Sequence, residues 1–290
     1  MDVIETVAGG LAFSVLRPGD AEAALALSEE AGWNQTVEDW RFMLERGQAL
    51  GLREPDGAFA ASSLVLPQGP AVSWISMVLV AHRHRRKGYG TMLLKRCIER
   101  VQASGAVPGL DATELGRPVY LPQGFRDLYA LSRWRLDAAP PEEPAPPGCT
   151  IRPVGEDDLE RIRAFDALRT RTERGATLRY LFGRVREQAY LAESGGRLLG
   201  FALGRPGRRS AQIGPVVADD PAVAVALLGR MARIGPPVIL DVPGMHASVT
   251  AWLQRHGAVR ERGFVRMTLG SAPGLDDPGA IYALAGPELS

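Results

Sequence analysis

Between Asp137 and Gly148 the chain reads DAAPPEEPAPPG, and no other stretch constrains its fold as strongly. Five prolines in twelve residues remove backbone donors and fix φ. Such a segment is neither a helix interior nor a central strand. It predicts an extended, semi-rigid spacer over 137–149, with one domain before it, 1–136, and one after it, 150–290. Hydrophobic residues make up 46% of the 290-residue chain, enough to build a core in each.

The two sides echo one another. Leu16-Arg17-Pro18 before an acidic helix start returns as Ile151-Arg152-Pro153 before Glu156-Asp157-Asp158. Leu110-Asp111 returns as Leu240-Asp241, and Gln123-Gly124-Phe125 more weakly as His256-Gly257-Ala258. The offsets stay at about 130 to 135 residues, so the pattern predicts a duplicated domain.

Periodicity supplies the elements. Leu11 to Leu16 reads as a first strand, followed by an alanine- and leucine-rich helix capped by Asp20 and ended by Gly32. Thr36 with Asp39 three residues on resembles a capping box for a second helix. Leu50 to Arg53, Ala58 to Leu66 and Ala71 to Val80 read as strands joined by Pro-Asp-Gly and Gln-Gly-Pro turns. Val107 to Ala112 is a further strand, and Phe125 to Leu136 reads as an antiparallel pair. The second half repeats this order, with a strand pair over Ala189 to Leu203. The fold class is α/β.

Composition excludes several functions. A net charge of +1 gives no overall pull toward nucleic acid or a membrane surface, and the basic run HRHRRK lacks interleaved aromatics. No run approaches the roughly 18 apolar residues of a membrane span. The start MDVIETVAGG has no basic then apolar leader pattern. The two cysteines are Cys97, inside a helical apolar pattern, and Cys149. They suit a reducing compartment, so the expectation is a cytoplasmic protein, monomer or homodimer. No metal-ligand spacing is present, and His82 and His84 read as exposed loop histidines.

The chemistry concentrates between Trp74 and Arg100, WISMVLVAHRHRRKGYGTMLLKRCIER. A buried-strand run ends at Val80, a basic glycine turn follows, and an apolar helical pattern begins. This arrangement offers free N–H groups and a helix dipole to an anion. Gly88 and Gly90 permit positive φ and close backbone approach. The equivalent stretch of the second half reads DDPAVAVALL. It is three residues shorter, has neither glycine nor any basic residue, and gains Asp219 and Asp220. An anion site in the first half is absent and locally repulsive in the second. A Rossmann nucleotide turn fits poorly, because Leu93 stands where the third glycine belongs.

Arg85-Arg86-Lys87-Gly88-Tyr89-Gly90 resembles the Arg/Gln-x-x-Gly-x-Gly/Ala motif of the GCN5-related N-acetyltransferases, the GNAT superfamily. Tyr120, followed by Gly124-Phe125, resembles the tyrosine and Gly-Phe that close a GNAT domain. AGWNQT, LDAT…GRPVY…GF and the ending AGPELS together resemble a tandem-domain bacterial subfamily. The resemblance implies two GNAT-like domains, each a mixed, mostly antiparallel twisted sheet flanked by helices, the second degenerate and lacking the pyrophosphate loop. It implies acetyl-CoA as co-substrate, held by Arg85, Arg86, Lys87, Gly88, Tyr89, Gly90 and Thr91 and by the strand backbone at Met77, Val78, Leu79 and Val80. It places Tyr120 near the CoA sulfur as the catalytic residue. Trp33, Asn34 and Trp40 lie where the family's first helices wall the acceptor pocket.

The implied function is transfer of an acetyl group to a primary amine, on a small molecule or a peptide, by direct attack in a ternary complex. The family's strand glutamate has no counterpart, since Trp74 to Val80 contains no acid. Base candidates are therefore Asp111, Glu38, Asp39 and Glu114, with Ser76 as a water holder. Asp241, aligned with Asp111 in the half without the turn, argues for a structural role of Asp111. The missing glutamate also motivates the alternative of a non-catalytic acyl-CoA-binding sensor or interaction protein.

Overall fold

The computed structural model describes residues 3–7, 10–233, 235–270 and 276–290. Of the stretch read for a leader, residues 1, 2, 8 and 9 lie outside these.

The first half runs β1 (Val3–Val7), β2 (Leu11–Leu16), α1 (Ala21–Glu30), α2 (Val37–Arg46), β3 (Gln48–Arg53), β4 (Phe59–Pro67), β5 (Val72–Val80), α3 (Tyr89–Ala103), β6 (Val107–Thr113), α4 (Arg117–Tyr120) and β7 (Phe125–Leu136). The second runs β8 (Thr150–Pro153), α5 (Leu159–Thr170), α6 (Gly175–Arg184), β9 (Tyr190–Ser194), β10 (Arg197–Arg205), β11 (Ala211–Ala218), α7 (Pro221–Ala232), β12 (Val238–Pro243), α8 (Ala247–Arg255), β13 (Val259–Leu269) and β14 (Ile281–Ala283).

Local rules explain most of these. The Thr36 hydroxyl accepts from the Asp39 N–H while the Asp39 carboxylate accepts from the Thr36 N–H at 2.8 Å, a capping box that starts α2. Leu93, Leu94, Cys97, Ile98 and Val101 form the buried face of α3, which packs on β4, β5 and β6. Three readings are corrected. A strand, β1, precedes Leu11. Asp20 does not cap α1: its carboxylate turns back to the Arg17 N–H at 2.8 Å and to Arg53 at 2.7 Å. Phe125 to Leu136 is one twelve-residue strand: no glycine or proline interrupts it, and ladders to β12 and β13 hold it extended through Asp127 and Ser132.

The 14 described strands form one sheet, in the order β1-β2-β3-β4-β5-β6-β13-β7-β12-β11-β10-β9-β8, with β14 paired to β11. The last long strand of each half has crossed to the other. β13 pairs with β6, and β7 pairs with β12. The two exchanged strands then pair with each other along most of their length, from Val259↔Arg135 to Leu269↔Phe125.

A reciprocal pair of buried ion pairs accompanies the exchange. Arg266 of β13 grips Asp111 of β6 through both carboxylate oxygens at 2.9 Å. Arg133 of β7 grips Asp241 of β12 in the same way, at 2.8 and 2.7 Å. These are the two aspartates that the repeat brought into register. Each half supplies the arginine for the other's aspartate.

The halves also share a core. Trp40, Met43, Leu64 and Trp74 pack in one cluster with Ile162, Leu178, Leu181 and Phe201. Phe42 stacks on Tyr180 with ring centroids 4.1 Å apart. Residues 137–149 carry no helix or strand and lie docked, with Glu143 accepting from Trp252 Nε1 at 2.6 Å.

Candidate functional site

β5 carries the site because of how it pairs. Against β6 it is hydrogen-bonded only over Val72–Trp74, facing Val107–Gly109. Beyond Trp74 the two parallel strands separate. Against β4 its register slips, with Ser62 opposite Leu79 but Leu64 opposite Ser76. The extra residue is a β-bulge at Met77–Val78. Met77 takes φ 51°, and its carbonyl accepts from the buried Ser62 hydroxyl at 2.9 Å.

The splayed strands open a cavity of about 900 Å³. The polar turn lies at one end of it. Arg86 has φ 62° and Gly88 φ 82°, and α3 starts immediately after. The N–H groups of Arg86, Lys87 and Gly88 donate to no described residue. Arg86 and Lys87 are exposed and have no carboxylate partner among the described residues. Arg85 reaches back to the Val80 carbonyl at 3.2 Å. The preceding basic residues are occupied: Arg83 and His84 bind Glu54, and His82 lies 3.2 Å from Glu30. Left-handed backbone at a non-glycine residue costs about 1–2 kcal/mol. Two of the four described non-glycine residues with positive φ, Met77 and Arg86, line this one cavity. In proteins generally, strained backbone of this kind clusters at ligand sites.

Of the residues that the resemblance named, Met77, Val78, Leu79, Val80, Arg85, Arg86, Gly88, Tyr89, Gly90, Thr91, Tyr120 and Trp33 line the cavity. Lys87 sits in the turn but points outside it. Tyr120 belongs to the short α4 and packs near Phe125, with ring centroids 6.0 Å apart. Burial, with a smaller contribution from Cys97, pushes its phenol up to about 12.

Asn34 and Trp40 are not cavity residues. Asn34 clamps the 207–210 turn of the other half, its carbonyl accepting from the Arg209 and Ser210 N–H groups at 2.9 and 3.2 Å. Trp40 is fully buried in the shared core and donates to Ser28 at 3.0 Å.

The base candidates separate clearly. Asp111 faces the cavity, but Arg266 holds both of its oxygens. Asp39 is bound by Arg205, Tyr180 and its own helix cap. Glu38 lies near Arg184 at 3.5 Å and lines no part of the cavity. Glu114 is exposed at the rim. Ser76 lines the wall, and its buried hydroxyl has no partner.

Sequence reasoning missed a second group of lining residues. Gln35 is buried, and its side-chain oxygen is also unpartnered. Arg133, Arg262, Gly263 and Phe264 arrive on the exchanged strands, and Pro287 and Glu288 on the segment after β14. No local motif signals these, since only the exchange brings them here. Trp74 Nε1 anchors that segment at the Pro287 carbonyl, 2.9 Å away. Arg205, fully buried, binds Glu288 and Asp39 together.

The second half has the same plan with its cleft closed. β11 meets β12 in parallel only at Ala211–Gln212, facing Val238–Ile239. The gap beyond is filled by β14, which pairs with β11 at Val216 and Val217. Leu284 N–H also donates to the Asp241 carbonyl at 2.9 Å. At the start of α7 the Asp220 carboxylate accepts from the Ala222 N–H at 2.7 Å, where the first half has its glycine turn. Among the described residues, no group of His, Cys, Asp and Glu is arranged to hold a metal ion, and no helix is long and apolar enough to cross a membrane.

Comparison with known proteins agrees with this architecture. The acetyltransferase (GNAT) family pattern matches residues 21–125, and a second acetyltransferase (GNAT) domain pattern matches residues 162–283. An uncharacterized N-acetyltransferase of Bacillus subtilis, YitH, is 24% identical over 243 residues, 83% of each chain. A putative acetyltransferase from Pyrococcus horikoshii superposes with a TM-score of 0.80 at 19% identity, covering 99% of both chains. A GCN5-related N-acetyltransferase from Sphaerobacter thermophilus gives 0.63 at 22% identity, covering 91% of this chain and 97% of that one. With a GNAT pattern on each side of the spacer, the chain belongs to the GNAT acetyltransferase superfamily as a tandem-domain acyltransferase.

Proposed function

We propose that the first half transfers an acetyl group from acetyl-CoA to a primary amine by direct attack in a ternary complex. The observation that carries this reading is the continuity of one cavity from the left-handed turn at Arg86–Gly88, past the bulge at Met77, to Tyr120. Unpaired cations and N–H groups at the turn suit a pyrophosphate. The open edge of β5 offers backbone donors for the thioester oxygen as charge develops there, a contribution of about 2.7–4 kcal/mol in comparable sites.

The amine nitrogen bonds to the thioester carbon and the C–S bond breaks. The sulfur leaves with the electron pair and accepts a hydrogen bond from Tyr120, while the proton that the nitrogen sheds on becoming an amide passes through water to the thiolate. A phenol at about 12 facing a thiol near 8.5 makes full proton transfer uphill by about 5 kcal/mol, so Tyr120 acts chiefly as a hydrogen-bond donor. The amine must first lose a proton, and the unpartnered oxygens of Ser76 and Gln35 suit a water chain to the rim. The blocked cleft of the second half leaves it a supporting role.

Thiol release from acetyl-CoA across a broad amine panel tests the proposal. Tyr120→Phe should lower kcat about 10- to 100-fold while leaving the Kd for CoA within about twofold. A wild-type protein that binds CoA calorimetrically yet releases no thiol with any amine would refute it in favour of an acyl-CoA sensor.

A further inference from the structure

The part of the cavity lining that β13 contributes holds a cation with no ion pair of its own. Arg133 is paired to Asp241 at 2.7 Å, and the buried Arg205 behind the lining is shared by Asp39 and Glu288. Arg262 lines the cavity, is half-buried, and has no carboxylate within ion-pair distance among the described residues. Its neighbour Glu261 is engaged by Arg135 at 2.9 Å. Burial disfavours the Arg262 charge, and the charge of Arg133 disfavours it further. The guanidinium lies 5.1 Å from the centre of the Phe264 ring, with Arg133 at 5.3 Å from the same ring. A cation held on an aromatic surface, facing a cavity and short of a counterion, is a receptor for an anion.

We propose that Arg262 anchors a carboxylate of the acceptor, so that the amines acetylated here are amino carboxylates. This rests on the acetyl-transfer reading of the cavity. The anion is not the CoA pyrophosphate by position. Arg262 stands on β13, and β6 separates that strand from β5. Two strand spacings set a floor of about 10 Å, and β5 and β6 have parted beyond Trp74, which leaves room for an acceptor lying between the thioester and the anchor. A single negative charge is favoured over a dianionic phosphate. Arg262 makes no ion pair of its own, and Asp241, Glu261 and Glu288 acting on it from nearby already offset part of its charge. Glu288, shared with Arg205, sets a carboxylate in the same lining as Arg262.

The test uses the full chain loaded with CoA and five probes: glycine, β-alanine, 4-aminobutyrate, 6-aminohexanoate and phenylalanine, each beside its primary amide. Binding is read by calorimetry and acetylation by thiol release with acetyl-CoA. The best acid should exceed its amide by about 10- to 100-fold in kcat/KM, mainly through KM. Arg262→Gln should erase that preference and Arg262→Lys should retain part of it, with CoA affinity unchanged in both. Equal use of acids and amides, a preference that survives Arg262→Gln, or no binding of any acid would overturn the anchor. Weakened CoA binding in Arg262→Gln would also overturn it, by assigning the residue to the CoA subsite. Acid-selective, Arg262-dependent binding without acetylation would instead refute acetyl transfer and leave the anchor standing.

Discussion

Asp241→Ala should destabilise the chain by about 3–5 kcal/mol, the cost of removing one partner of a buried ion pair. The side chains of Arg133 and Asp241 are 5% and 0% exposed. Two hydrogen bonds join them at 2.8 and 2.7 Å, and Gln212 donates a third to the same carboxylate at 2.8 Å. Without the carboxylate, a guanidinium remains where burial already works against its charge, and the Gln212 amide loses its acceptor. Typical domain stabilities are about 5–15 kcal/mol, so the loss should be plain as a lowered urea midpoint. The double variant Arg133→Met with Asp241→Leu removes both charges and fills the space. It should return to within about 1 kcal/mol of the wild type. Asp111→Ala should cost less than Asp241→Ala, because Arg266 keeps Asp276 at 2.8 Å. A loss under about 1 kcal/mol for Asp241→Ala would refute the reasoning. So would a double variant as unstable as the single one: the exchanged strands would then be held by their ladders and apolar contacts alone.

Two further expectations follow from the same geometry. Calorimetry should find one CoA per chain, with Arg85→Ala plus Arg86→Ala weakening that single site; a second equivalent site would contradict the plugging of the β11–β12 gap by β14. Hydrogen bonds from Arg152 hold the Asp158 carboxyl down to about 2, below its unfolded value near 3.9. The stabilisation is therefore present above about pH 4 and lost as pH falls through about 2. Arg152 is 36% exposed, which discounts the linkage figure to about 1 kcal/mol. Asp158→Asn should lower the urea midpoint at pH 7, and the gap from wild type should narrow below pH 4; a gap independent of pH would sink the assignment.

The sequence made local matters legible and long-range pairing illegible. The run from Ile75 to Val80, the glycines at 88 and 90 and the apolar stripe from Leu93 to Val101 each obey a short-range rule, and strand, turn and helix formed there. The capping box at Thr36 is equally local. The exchange of β7 and β13 obeys no such rule. A strand's alternation shows that it has a buried face but not which strand lies beside it. Phe125 to Leu136 therefore looked like a self-contained hairpin, when its partners lie more than 100 residues away. Trp40 misled for a related reason: a tryptophan on an amphipathic helix has the same spacing whether it faces a pocket or a core, and here the core of the second half covers it.

The exchange changes what the duplication means. A degenerate second copy beside an intact one would leave a catalytic domain complete in itself, with a passenger attached. Here part of the cavity lining is built from β7, β13 and residues 287–288, so the second half contributes Arg262, Gly263, Phe264, Pro287 and Glu288 to the first half's cavity. The segment that fills the cleft of the second half at Ile281–Ala283 is the one that delivers Glu288 to the cleft of the first. Closing one cleft and lining the other are thus done by the single stretch from Ile281 to Glu288. Substitutions there would leave the turn at Arg85–Gly90 untouched, so the two contributions to this one cavity are free to vary separately.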